Sequence, residues 1–454
     1  MKFKSIIFTA LLLCSMTLTA CSGKQNKLEL NDGVVVSGEA YVPDECKVML
    51  HFSTFQRTNT ASASVRMKQA DTQFICCDNS GEVTNSFSVN REIFNRPIAR
   101  LNSSTTLGFL DFNLNCSNDS VTFIDDSTAL NLPWTGLGSD VTGYIEERDT
   151  AYYLLNLGTG AIDGQYTTIL RFVNSETSYD VVMPYPIMYA AYDRVSDRFI
   201  YRVSNHSDDF LYGFIDYNDV TGRYRYNEPE YSIQLRSMLE NYGDYAYDGY
   251  RILIDDNVVY EILTIPVNEN VLSDLDLSSN YLDSSEHRWG VLILRSFDLT
   301  NQIAQAEYLT GMPFEGDIDY GFYMSGTQQM PVTAVNGKLY IFTRDEKLGI
   351  YDPQTGFAQY DVKFESTGTL APNDLFGSDS QGGPTLGDRS PIRICDNGDL
   401  YTAHAYSDDT IKIHKYNYSE QRFELYWTSE SGILDKLDKQ SLEFVSFELV
   451  NLFF

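Results

Sequence analysis

Residues 330–362 read Met-Pro-Val-Thr-Ala-Val-Asn-Gly-Lys-Leu-Tyr-Ile-Phe-Thr-Arg-Asp-Glu-Lys-Leu-Gly-Ile-Tyr-Asp-Pro-Gln-Thr-Gly-Phe-Ala-Gln-Tyr-Asp-Val, and this stretch decides the fold. Met330–Val335 is an extended segment. Asn336-Gly337 is a two-residue hairpin turn, because Asn and Gly accept the positive φ that so short a loop requires. Lys338–Thr343 returns as a second strand, Arg344–Lys347 turns, and Leu348–Asp352 is a third. Pro353-Gln354-Thr355-Gly356 turns again and Phe357–Val362 is a fourth. Short runs of Val, Ile, Tyr and Phe bounded by Asp, Asn, Gly and Pro are the mark of an antiparallel meander.

The same grammar recurs on both sides. After Pro391 come Ile392–Cys395, Asp399–Ala405, Thr410–Tyr416 and Arg422–Trp427. Upstream lie Ile187–Tyr192, Arg198–Val203, Phe210–Tyr217 and Arg223–Tyr226. One sub-pattern aligns directly. Tyr217-Asn218-Asp219-Val220-Thr221-Gly222 matches Tyr351-Asp352-Pro353-Gln354-Thr355-Gly356 and Tyr416-Asn417-Tyr418-Ser419-Glu420-Gln421, with Phe297-Asp298-Leu299-Thr300-Asn301-Gln302 a weaker copy. A unit of four short strands cannot bury both faces alone, and stacking units in a ring covers them.

The expected fold is therefore all-β: a β-propeller of six to eight blades, with tandem β-sandwiches as the alternative. Five blades are legible between about Gly136 and Trp427, and residues 67–135 supply one or two more. Leu442–Phe454 closes or caps the ring. The Tyr-Asp-Pro-x-Thr-Gly type of turn resembles that of bacterial six- to eight-bladed propeller lipoproteins. The expected division is a signal peptide over 1–20, a polar tether over 21–33, a small separate β element over 34–66 and the propeller over 67–454.

The N-terminus carries its own message. Lys2 and Lys4 precede an apolar run from Ile6 to Leu13, followed by Leu18-Thr19-Ala20-Cys21. A basic start, a short apolar core and small residues before a cut site make a secretory signal. The run is shorter than the roughly 20 residues of a membrane span. Leu18-Thr19-Ala20-Cys21 resembles the bacterial lipobox, which implies cleavage before Cys21 and lipidation of its thiol. Two or three acyl chains hold a protein on a membrane stably where one does not. The resemblance implies a protein of the bacterial cell envelope. It lies at the outer membrane in a Gram-negative cell, as Ser22 favours, and otherwise on the outer face of the cell membrane.

Cleavage would leave 434 residues with 31 basic against 63 acidic side chains, a formal charge of −32. Such an excess excludes nucleic acid and anionic headgroups as electrostatic partners of the body. Disorder is excluded by 43% hydrophobic and 13% aromatic content. An exported chain permits disulfides, so one or two bridges are expected among Cys46, Cys76, Cys77 and Cys116, with Cys395 a buried thiol.

Catalytic signatures are missing from the sequence. Five histidines, His51, His206, His287, His404 and His414, form no metal-binding spacing, and no nucleophile elbow or phosphate-cradling loop is present. No cofactor is expected, with calcium the one candidate. Asp317 with Asp319, and Asp216 with Asp219, have the spacing for two oxygen ligands each, although turn chemistry explains them as well. The run 242–250 places Tyr242, Tyr245, Tyr247 and Tyr250 among glycines and aspartates. Tyr joins apolar area to a polar tip, which suits a recognition loop. The functional expectation is a lipid-anchored envelope protein, more a binder than an enzyme, that recognises a protein or glycan through propeller loops. The alternative is an extracytoplasmic hydrolase or lyase acting on carbohydrates or lactones through an acidic, calcium-dependent site.

Overall fold

The computed structural model describes residues 27–29, 35–53, 72–123, 137–162, 165–203, 209–234, 252–282, 289–315, 332–371, 382–395 and 397–450, apart from short interruptions within these ranges. Nearly all of it is antiparallel sheet. The first strands are β1 (Lys27–Glu29), β2 (Val35–Gly38), β3 (Val48–Ser53), β4 (Thr72–Cys77) and β5 (Val83–Val89). Six blades of consecutive strands follow. Blade 1 is β6 (Ile93–Leu101), β7 (Ser104–Phe109), β8 (Asn113–Cys116) and β9 (Val121–Phe123). Blade 2 is β10 (Leu137–Ile145), β11 (Thr150–Ile162), β12 (Gln165–Val173) and β13 (Ser178–Met183).

Blade 3 is β14 (Ile187–Asp193), β15 (Arg198–Val203), β16 (Asp209–Asn218) and β17 (Arg223–Tyr226), with β18 (Tyr231–Gln234) also on β16. Blade 4 is β19 (Ile252–Asp255), β20 (Val258–Pro266), β21 (Trp289–Asp298) and β22 (Ile303–Tyr308), with β23 (Phe314–Glu315) also on β21. Helix α1 (Glu269–Asp274) lies between β20 and β21, begun by Asn268, whose side chain accepts from the Val271 amide at 3.0 Å. Blade 5 is β24 (Val332–Val335), β25 (Lys338–Thr343), β26 (Lys347–Asp352) and β27 (Gly356–Asp361). Blade 6 is β28 (Ile392–Ile394), β29 (Leu400–Tyr406), β30 (Thr410–Asn417) and β31 (Arg422–Thr428). Helix α2 (Ile433–Asp438) and β32 (Glu443–Leu449) end the described chain.

The fold is a β-propeller, and its ring is closed by a seventh sheet in the order β1-β2-β5-β4-β3-β32. β32 comes from the C-terminal segment and every other strand of that sheet from the N-terminal one. Leu50 pairs with Phe447 and Val48 with Leu449. β2 and β3 fall within 34–66, the stretch expected to be a separate β element, and both join this sheet instead. Their partners are far away in sequence, which is why local patterning misplaces them. Cys46, Cys76, Cys77 and Cys395 are buried thiols rather than bridged pairs. The Cys46 thiol donates to the Val48 carbonyl at 3.5 Å. The side chain of Cys116 lies outside what is described.

The repeated turn has a common cause. In five sheets the carboxylate or amide of one residue accepts the backbone amide two residues on. Asp78 Oδ1 accepts from Ser80 at 2.8 Å, Asn218 from Val220 at 3.0 Å and Asp298 from Thr300 at 2.8 Å. Asp352 accepts from Gln354 at 2.8 Å and Asn417 from Ser419 at 3.0 Å. Each side chain thus fixes the turn between third and fourth strands. The aromatic residue before it packs on the preceding blade. Phe297 joins the blade 3–4 core, Tyr351 the blade 4–5 core and Tyr416 the blade 5–6 core. The Asn336-Gly337 hairpin has φ of 46° and 71°, as its sequence requires.

A buried charge joins blades 3 and 4. Glu261 on β20 accepts from Arg202 Nη1 at 3.1 Å, from the Tyr212 hydroxyl at 2.7 Å, and from Arg295. Both arginines and Glu261 are 1% exposed. Removing one partner of such a group leaves buried charge, so Glu261→Gln is expected to destabilise the fold by about 3–5 kcal/mol, read as a lower urea midpoint.

The closing sheet docks on blade 6 through Val48, Leu50, Phe444 and Phe447 against Ala403, Ile411 and Ile413. Trp427 Nε1 donates to the Asp78 carbonyl at 3.0 Å, and the Glu430 amide to the Gly81 carbonyl at 2.8 Å. Gly81 has φ of 88°, and a Cβ there would lie 2.1 Å from the Thr428 carbonyl oxygen. Gly81→Ala is therefore expected to cost about 2 kcal/mol or more through backbone strain and displacement. Gly311→Ala, with nothing within 4 Å of its Cβ position, serves as the neutral control in the same thermal melt.

Candidate functional site

Up-and-down strand order makes the two ends of the ring unequal. One end, the turn end, joins first to second and third to fourth strands. Its links are short: Ile145 to Thr150, Asp193 to Arg198, Asp255 to Val258, Val335 to Lys338, Asp298 to Ile303 and Asp352 to Gly356. The other end, the connection end, joins second to third strands and one blade to the next. Its links include Gln234 to Ile252, Pro266 to Trp289, Glu315 to Val332 and Asp361 to Ile392. β18 and β23 extend along the starts of β16 and β21, and carry the chain to this end.

Tyr242, Tyr245, Tyr247 and Tyr250 belong to the link from Gln234 to Ile252, and Asp317 and Asp319 to the link from Glu315 to Val332. All six lie outside the described residues, as do Cys21, His206 and His287. The strands that flank them fix the end at which these links leave and return. Asp216 and Asp219 sit instead at the turn end. Asp216 is exposed on β16 and accepts from Asn227 Nδ2 at 2.6 Å. Asp219 is exposed in the turn that Asn218 organises.

One polar cluster among the described residues was not singled out as a site by the sequence. On β29 and β30, Tyr406 and His414 share one face of blade 6, and residues 363–371 cover it. The Tyr406 hydroxyl lies 3.2 Å from His414 Nε2, and the Thr367 hydroxyl lies 2.7 Å from the former and 3.1 Å from the latter. Lys412 Nζ donates to the Thr367 carbonyl and the Asp408 carboxylate, both at 2.8 Å, and lies 4.2 Å from the Tyr406 ring centre. His404 and His414 are fully buried, with Phe364 edge-on to both. Burial, with the charges of His404 and Lys412, pushes His414 down to about 3. A neutral ring in a sealed face packs and hydrogen-bonds. Spacing alone puts His404 and His414 on neighbouring strands of one blade, but it gives no sign of Thr367, which reaches the cluster from a separate segment.

A second cluster lies between blades 2 and 3. Asp197, in the β14–β15 turn with φ of 49°, accepts from the Tyr192 hydroxyl at 2.9 Å, the Tyr224 hydroxyl at 2.7 Å, and Arg148. Arg148 lies over the Tyr217 ring, 3.1 Å from its centre. Tyr224 stacks on Phe172 at 4.6 Å. Burial and the Asp197 carboxylate hold Tyr224 far above the usual phenol range. These tyrosines are interface packing, which accounts for part of the tyrosine excess.

The expectation of no cofactor, with calcium the one candidate, is withdrawn, and Asp216 with Asp219 is not carried forward as a calcium site. Among the described residues no group of three or more His, Cys, Asp or Glu could hold a metal ion. No protein-family profile matches this chain, and no curated protein does. Cobalt-substituted Synechocystis ACO is similar at 8% identity over 94% of this chain and 96% of that one, with a TM-score of 0.42. The dihydro-heme d1 dehydrogenase NirN in complex with DHE is similar at 10% identity over 80% and 65%, at 0.36. A puromycin-hydrolyzing peptidase of Mycobacterium tuberculosis is similar at 10% identity over 86% and 55%, at 0.41. At such identities the likeness bears on the fold alone. Among the described residues no helix is long and apolar enough to cross a membrane.

His51 on β3 gives a direct test of the buried set. Neither ring nitrogen has a hydrogen-bond partner, and the ring lies edge-on to Phe74 at 5.3 Å. Burial and then Arg393 push it from 6.5 down to about 3. The unfolded chain therefore binds more protons than the fold below pH 6.5, and stability falls as the pH drops toward 3. His51→Phe is expected to keep stability at pH 7. It is also expected to flatten the pH dependence between 6.5 and 4 by about 1.4 kcal/mol per pH unit, measured by denaturant titration at each pH.

Proposed function

We propose that this protein is a lipid-anchored binder of the bacterial cell envelope that recognises a protein or glycan through the connection end of its propeller. The observation that carries this reading is the inequality of the two ends. Tight Asx turns occupy one end, where their side chains are spent on their own backbone. Long links leave the other, including the one that holds Tyr242, Tyr245, Tyr247 and Tyr250. Long loops on a rigid scaffold are where recognition is placed, because the scaffold bears the cost of order. The described histidines, His51, His404 and His414, are sealed within sheets and reach neither end. The geometry therefore favours binding over hydrolysis or elimination.

Cys21 supplies the anchor in this reading, at the outer membrane of a Gram-negative cell or the outer face of the cell membrane otherwise. Cys21→Ser is expected to abolish palmitate labelling and to move the protein to the soluble fraction. Continued labelling and sedimentation with membranes would refute the anchor. For recognition, the variant with Tyr242, Tyr245, Tyr247 and Tyr250 all changed to Ser is the test. Affinity capture from solubilised envelope with mass spectrometry should lose its enriched partner in that variant while the melting temperature stays unchanged. An identical captured set, or no enriched partner for the parent across salt conditions, would count against the binding reading.

A further inference from the structure

We infer that the propeller is held edge-on to its membrane, with the outer edge of the closing sheet nearest the lipid and blades 3 and 4 on the far side of the ring. This rests on the lipid-anchor reading of Cys21 and adds which surface meets the bilayer.

The closing sheet runs β32-β3-β4-β5-β2-β1. β32 follows blade 6 as the first strand of a new sheet, at the position that β28 and β24 hold in their own blades. The order therefore runs from the axis to the circumference, and Lys27 opens the outermost strand. β1 is fixed there by its pairing with β2, Lys27 opposite Ser37 and Glu29 opposite Val35. β2 is fixed in turn on β5, with Val36 opposite Val89. Cys21 stands six peptide units before Lys27, which is at most about 22 Å of chain. A compact body of this length has a radius of gyration of about 22 Å and so a diameter above about 50 Å. The tether is too short for the closing sheet to face away from the lipid.

Charge decides among the remaining poses. Residues 22–28 carry Lys24 and Lys27 and no acid. The turn end presents Asp219, Asp255, Asp256, Asp298 and Glu420, which anionic headgroups repel. The connection end is the recognition surface of the proposed function. The outer edge of the closing sheet is left as the surface nearest the lipid.

The test uses the lipidated full chain in vesicles of phosphatidylcholine and phosphatidylglycerol containing brominated lipid. A fluorescent non-natural residue is placed at Glu39, exposed at the end of β2, or at Val220, 95% exposed on blade 3. Quenching at Glu39 should exceed that at Val220 severalfold. Lengthening the tether after Ser22 by about twenty Gly and Ser residues, a flexible coil, should erase the contrast. Equal or reversed quenching in protein that carries the lipid would overturn the orientation and leave the anchor intact. A chain that takes up no lipid at Cys21 would overturn both.

Discussion

Everything in this fold depends on β3 meeting β32. Each blade is a thin sheet with two apolar faces, and a ring covers every face only if its last gap is filled. Here residues 48–53 and 443–449 fill it together, with backbone hydrogen bonds between strands from the two ends of the described chain. The pairing also places the β4–β5 turn where Gly81 and Asp78 receive Glu430 and Trp427. Without it, blade 6 would expose Ala403, Ile411 and Ile413, and the hydrophobic gain of the whole interface would be lost. Such a pairing carries a loop-closure cost that local hairpins do not, because its partners are remote in sequence.

Much of the architecture was legible because its causes are local. Asn336-Gly337 dictates a hairpin through its own backbone preference, and the strands around it lie within a residue or two of the expected limits. The aligned repeat at Tyr217, Phe297, Tyr351 and Tyr416 was legible for a stronger reason. One residue of each pair packs on the previous blade and the next locks a turn, so the pattern is rewritten in each blade. What stayed hidden is non-local. Nothing around 34–66 reveals that β2 and β3 belong with β32. Glu261, Arg202, Tyr212 and Arg295 come from four strands of two blades, and no spacing in the chain announces them. The aspartate pairs were ambiguous from the start, since one side chain chemistry serves both cation binding and turn formation.

The described polar groups divide their labour by position. Those between blades, such as Glu261 and Asp197, are bonded to neighbours and hold the sheets in register. Those at the turn end hold their own backbone. Both uses occupy a group that would otherwise be available to a ligand. An acidic, rigid ring with one ornamented end is suited to presenting loops rather than to moving itself.

The hairpin of β1 and β2 on the rim of the closing sheet has a mechanical meaning. A pull on the chain ahead of Lys27 loads β1 first, and β1 is held by a three-residue ladder to β2. That ladder opens one bond at a time, as a peel. β2, itself held by three residue pairs to β5, yields next. Only after both have gone does tension reach β3, the next strand along the chain. The outer hairpin is thus a fuse: it lengthens under load and dissipates it before the ring itself is strained.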